Sequence, residues 1–99
     1  MNDLLKKIVE WNEANEYQKC VDAIEAIPEE ERGYELTVLL GRAYSNLGVL
    51  GDNNSKANED GVDIFLLEKA VNIFESVRLQ GLDDWYWNCR MAYALWMTA

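Results

Sequence analysis

The side chains that could do chemistry fall into a few groups. Carboxylates are paired or run together at Glu29-Glu30-Glu31, Glu59-Asp60 and Asp83-Asp84, and there are two cysteines, Cys20 and Cys89. Paired carboxyl groups act as general acid and base when a cleft shifts one pKa away from the other. Here they lie where helices are expected to start, or in a polar loop, and solvated capping accounts for them. The chain has no histidine, which excludes a Ser-His or Cys-His nucleophilic site. Cys20 sits at a small-residue position of a predicted helix and reads as a small buried side chain. Cys89 has no basic cluster beside it to stabilise a thiolate, and two cysteines so far apart lack metal-ligand spacing. Asp52, Asn54, Lys56, Asn58, Asp60 and Asp63 follow the alternation of a calcium loop. The pattern fails at the positions that matter. Lys56 replaces an oxygen ligand, Ala57 replaces the turn glycine, and Asp63 is shorter than the closing glutamate. No glycine-rich phosphate loop is present. No metal and no cofactor is therefore expected, and the chain does not read as an enzyme.

Composition narrows the remaining classes. Ninety-nine residues make one domain, 49% apolar, with four Trp, five Tyr, two Phe and one Pro. That usage favours helices over strands. The formal net charge is −9, from 18 acidic and 9 basic residues. With no basic run, neither nucleic-acid phosphates nor an anionic membrane surface is a suitable partner. Acidity acts chiefly as a solubility device and is compatible with a basic or mixed-charge protein partner. Met1 to Lys7 lacks the apolar core and cleavage site of a signal peptide. No stretch approaches the ~20 apolar residues of a membrane span. The two cysteines fit a reduced protein better than a disulfide scaffold, so a cytoplasmic location is expected.

The elements that must position these residues are helices. Leu4, Leu5, Ile8, Val9 and Trp11 predict a first helix over about 3–14, capped by Asn2 or Asp3. After a turn at Asn15-Glu16, the spacing of Tyr17, Cys20, Val21, Ile24 and Ile27 predicts a second over about 17–27, stopped by Pro28. The three glutamates suit the positive end of a helix dipole. A third helix is predicted from near Glu30 to Leu47, with Leu36, Leu39, Leu40, Ala43, Tyr44 and Leu47 inward and Gly48 as its end. Residues 49–61 form a polar loop. A fourth helix, about 62–80, buries Phe65, Leu66, Ala70, Ile73, Phe74 and Val77 and is broken by Gly81. A fifth, about 84–98, is capped by Asp83 or Asp84. It turns Trp85, Cys89, Ala92, Leu95 and Trp96 to its apolar side.

Leu40-Gly41 with Tyr44, followed by Ala70 and Phe74, is the most specific pattern in the chain. Leu40 and Tyr44 share a helix face. Gly41 has no Cβ, so a neighbouring helix can approach there. A helical glycine costs about 1 kcal/mol relative to alanine and needs such a reason. These residues resemble the tetratricopeptide repeat family, of bacterial type, whose motif pairs Leu-Gly-x-x-Tyr in one helix with Ala-x-x-x-Phe in the next. The resemblance implies an all-α, helical-hairpin solenoid of about five helices with right-handed superhelical stacking. Repeat 1 spans about 1–28, with Leu4, Ile8 and Trp11 and then Asn15, Cys20, Ile24 and Ile27 at the repeat positions. Repeat 2 spans about 30–80, with Thr37 at the tryptophan position and the loop 49–61 inserted. A partial repeat 3, or cap, spans 83–99, with Met91-Ala92 aligned to Leu40-Gly41, Leu95 to Tyr44 and Ala99 to Gly48. The third repeat stops after its first helix, and the terminus carrying Trp96 and Met97 is not polar. A piece of a longer protein is the reading it favours over a natural cap.

The resemblance also implies a function class: a non-catalytic scaffold that binds a peptide, a helix or a neighbouring domain. The groove would be lined by the first helix of each repeat. Carried over, those positions are Val9, Asn12 and Glu13, then Val38, Arg42, Ser45 and Asn46, then Tyr86, Arg90, Tyr93 and Met97. Tyr and Arg are enriched at binding hot spots. Relatives that clamp a C-terminal carboxylate place Lys, Asn and Arg where this chain has Leu5, Val9, Leu39, Tyr86 and Arg90. Only Arg90 matches, so that subtype is not expected. Two other roles stay open on the sequence: self-association, as a homodimer through the last helix, and an acidic inhibitor or immunity-type protein occupying a basic site.

Overall fold

The computed structural model describes residues 2–51 and 62–98. These form helices α1 (Asn2–Glu13), α2 (Tyr17–Glu25), α3 (Glu29–Leu50), α4 (Ile64–Glu75), α5 (Arg78–Gly81) and α6 (Trp85–Thr98). The protein is all-α, with no strand among the described residues. Most of the predicted loop 49–61, with the calcium-like positions 52–60, lies outside them.

Each long helix packs on the next: α1 on α2, α2 on α3, and α3 most extensively on α4. The chain then makes the single turn α5, and α6 lies along α4. Both α1 and α6 also touch α3, so these three helices share one side of the molecule. Ile8, Ile24, Leu36, Leu40, Leu67 and Phe74 are the large side chains buried completely between the layers. Full burial of such a side chain stabilises by about 1.5–3 kcal/mol.

The expected glycine contact is present. Phe74 from α4 lies over Gly41, where an added Cβ would come within 2.6 Å of the ring. Three residues on, Tyr44 donates a hydrogen bond to Glu25 Oε2 at 2.7 Å, tying α3 to α2. Cys20 is buried, its thiol 3.5 Å from the Ile8 carbonyl it donates to.

Several boundaries differ from the sequence reading, each for a local reason. The third helix starts at Glu29, and Gly33 (φ 71°, ψ 176°) interrupts it one turn in. That backbone conformation suits a residue without Cβ. Gly48 does not end the helix. Its bare α-carbon lets α4 approach, since a Cβ there would lie 3.1 Å from the Asp63 carbonyl oxygen and from Leu67. Gly51, at φ 73°, is the terminator. Asp63 caps α4 by accepting from the Leu66 N–H at 3.3 Å. The single fourth helix expected over 62–80 is two. The Ser76 hydroxyl donates to the Ile73 carbonyl, Val77 leaves the helical region at φ −122°, and α5 follows. Among the described residues the helices therefore number six rather than five. Phe65, expected in the core, is 75% exposed, because Leu67, Ala70 and Phe74 form the buried stripe of α4.

The largest correction concerns α6. Trp85, Cys89, Ala92, Leu95 and Trp96 face solvent, and Trp87, Met91 and Ala94 are buried. The face is chosen by tertiary contacts. The Trp87 indole N–H donates to the Phe74 carbonyl at 3.0 Å, and its ring lies against Gly81, where a Cβ would be 2.3 Å away. Asp84 supplies the cap, accepting from the Tyr86 N–H at 3.0 Å.

Candidate functional site

The shared side of α1, α3 and α6 carries a groove of about 370 Å³. Leu5 and Val9 line it from α1, Val38 and Leu39 from α3, and Tyr86 from α6. Tyr34, Glu35 and Asp84 complete its wall. The Tyr34 hydroxyl donates to Asp84 Oδ2, joining the start of α3 to the start of α6. Burial, then this hydrogen bond, pushes the Tyr34 phenol up to about 12.

One turn further along α3 and α6, beyond the residues that line this groove, stand two cationic side chains, Arg42 and Arg90. Arg42 follows Val38 by four residues, and Arg90 follows Tyr86 by four, so each pair shares a face. The Arg90 guanidinium donates from Nη2 to Asn46 Oδ1 at 3.0 Å and reaches Ser45 Oγ at 3.5 Å. It also sits 5.0 Å from the centroid of the Tyr93 ring. Burial pulls its pKa below the ordinary arginine value, and the Arg42 charge pulls the same way, against the opposing phenol oxygens of Tyr86, Tyr93 and Tyr17. Neither arginine forms an ion pair among the described residues, in a chain with twice as many acidic as basic side chains.

Among the described residues, four side-chain polar atoms are buried without a hydrogen-bond partner: Asn12 Oδ1, Arg42 Nε, Tyr86 OH and Arg90 Nε. Asn12 is 3% exposed, and its amide nitrogen donates to the Ile8 carbonyl at 3.1 Å. An unsatisfied buried polar group costs about 1–3 kcal/mol. Native structures hold few of them, so these four atoms call for an explanation.

Of the predicted groove residues, Val9, Val38 and Tyr86 line this groove, and Arg90 meets Ser45, Asn46 and Tyr93. Val38, Ser45, Asn46 and Asn12 are buried. Arg42, Tyr86, Arg90, Tyr93 and Met97 are partly covered, and Val9 and Glu13 are open. Leu5 and Leu39, read from sequence as packing positions, line the groove itself, as do Tyr34, Glu35 and Asp84. The sequence signal available for the first two is their place among the clamp positions of the family the chain resembles. Among the described residues no group of three or more His, Cys, Asp and Glu is placed to hold a metal ion, and no helix is long and apolar enough to cross a membrane. Compared with models of known families, with curated proteins and with solved structures, the chain matches none of them.

Proposed function

We propose that this protein is a non-catalytic binding module of tetratricopeptide-like, helical-hairpin type that holds a peptide or helix of another protein in the groove of α1, α3 and α6. The observation that carries the reading is the pair of cations Arg42 and Arg90, which form no ion pair among the described residues and whose Nε atoms are buried without a hydrogen-bond partner. A carboxylate or a backbone carbonyl of the bound segment satisfies both guanidinium groups, and charge-assisted bonds of this kind are the strong ones. The apolar half, Leu5, Val9, Leu39 and Tyr86, takes an adjacent aliphatic or aromatic side chain. The occupant is then a segment with an apolar anchor next to an acidic residue or a C-terminus. Ser45 and Asn46 hold Arg90 in place before binding, which reduces the ordering cost of the complex.

The test is selection of peptides from a random displayed library by the wild-type protein, repeated with the double variant Arg42→Gln, Arg90→Gln. Enriched sequences should pair an apolar residue with Asp, Glu or a free C-terminus. Their affinity should fall at least about tenfold for the double variant, the scale of one lost charge-assisted contact. Enrichment of sequences without an acidic group, or binding unchanged in the double variant, would reject the reading.

A further inference from the structure

The outer face of α6 is apolar, uncharged and symmetric. Trp85, Cys89, Ala92 and Trp96 are all exposed, the two tryptophans at 78% and 74%. At 100° per residue these four fall within an arc of about 60°. The buried residues Trp87, Met91 and Ala94 occupy the arc directly opposite, so the exposed stripe points straight away from the protein. A contiguous exposed apolar patch of a few hundred Å² is often a contact site, whereas single exposed apolar residues are ordinary. The spacing along the stripe is four, three, four, and the order is large, small, small, large. It therefore reads the same from either end.

We propose that this stripe is a self-association site, where α6 of a second copy packs antiparallel across a two-fold axis. Trp85 then meets the partner's Trp96, Cys89 meets the partner's Ala92, and the same contacts recur by symmetry. A two-fold contact requires a surface complementary to itself, and this register supplies one. The small residues at the centre let the two helix backbones approach closely, while the tryptophans close over both ends.

Charge points to a second copy as well. Two chains of net charge −9 repel over most of their surfaces. Arg90 is the sole charged residue in α6, and it is turned toward Asn46 of α3. The outer face of α6 is thus a place where two copies meet without opposing like charges. Area is adequate too. At about 250 Å² per tryptophan, the two exposed rings offer roughly 380 Å² per protomer. Leu82 and Leu95, each about half exposed, border them. Together with the central backbone, the contact reaches the lower range of specific interfaces, about 600 Å² per partner.

Sedimentation equilibrium of the full chain over a concentration series tests this, with circular dichroism to confirm the fold of each variant. The expected result is a monomer–dimer equilibrium that tightens as salt rises and screens the charge. Trp96→Glu should weaken the dimer at least about a hundredfold, since the new charge is buried twice in a symmetric contact. Bismaleimide should link the dimer through Cys89, which lies about 4.5 Å along the axis from its partner's equivalent in this register. Cys20 is buried, so Cys89→Ser should abolish the link. A monomer at every concentration, a dimer that survives Trp96→Glu, or open-ended oligomers would each overturn the proposal. The first of these outcomes leaves the stripe to a helix of another protein or segment. None of them bears on the groove, whose peptide binding is read separately.

Discussion

Helices α3 and α6 carry comparable patterns and have different surroundings. In α3, Leu40 faces the core and the bare Gly41 receives the Phe74 ring of α4, while Tyr44 is tied to α2. In α6, Met91 faces the core as Leu40 does, but Ala92, aligned with Gly41, looks into solvent. The first helix is covered by the helices on either side of it. The second is covered by α4 and, through Arg90, by the edge of α3. The same small-residue device is thus a core contact in one place and a surface in the other. What decides is whether a following helix lies over it.

The largest expected effect separates the two surroundings. Phe74→Ala removes the ring that covers Gly41, in a site with no exposure. Truncations of this kind cost about 3–5 kcal/mol. The same truncation at Trp96 should change the stability of the monomer by no more than about 0.5 kcal/mol, as exposed positions do. Urea denaturation at a protein concentration below any self-association measures both. Similar losses at the two positions would erase the contrast between α3 and α6.

A smaller effect sharpens the comparison at the small residues themselves. Gly41→Ala gains about 1 kcal/mol of helix propensity. It also drives a methyl group to within 2.6 Å of the Phe74 ring. Overpacking of that kind costs about 1–3 kcal/mol, so the net change should be destabilising. Ala92→Leu, at the aligned exposed position, should leave monomer stability unchanged. The same denaturation experiment decides, and a stabilised Gly41→Ala would show that Phe74 yields without cost.

This contrast also explains what was legible in the sequence. Gly41 and Phe74 were readable because a glycine inside a strong helical pattern states its own reason, a close approach. Cys20 in the core was readable from its place on the stripe of α2. The inward face of α6 was not. Trp85–Thr98 is apolar on nearly every side, so periodicity does not select a face. The choice is made by Trp87, whose indole needs the Phe74 carbonyl at the end of α4 and the bare backbone of Gly81. A contact between segments folded together leaves no periodic trace. The break at Ser76-Val77 was hidden for a similar reason, since a single hydroxyl bond to the Ile73 carbonyl accompanies the turn. Arg42 and Arg90 come from the family resemblance and stand a turn beyond the residues that line the groove. Tyr34 and Asp84 were missed, because one looked like a helix residue and the other like a cap, and Asp84 is both a cap and a groove wall.

The smallest effect concerns the tie between the two regions. The Tyr34 hydroxyl donates to Asp84, which also caps α6, so one hydrogen bond connects the start of α3 to the start of α6. Tyr34→Phe should cost about 1 kcal/mol at neutral pH. The phenol is neutral there, and its pKa in the folded protein, about 12, stands above the ordinary value of about 10. A raised folded-state pKa means that the unfolded chain loses its proton first. The stabilisation is therefore complete below pH 10 and is lost as pH rises toward 12, when a phenolate would face the Asp84 carboxylate. The difference in stability between wild type and Tyr34→Phe should accordingly be flat up to about pH 10 and shrink above it. A difference that stayed constant through pH 12, followed by chemical denaturation at fixed ionic strength, would show that the phenol does not hold α6 through Asp84. The loss at Tyr34 would then belong to packing within α3 alone.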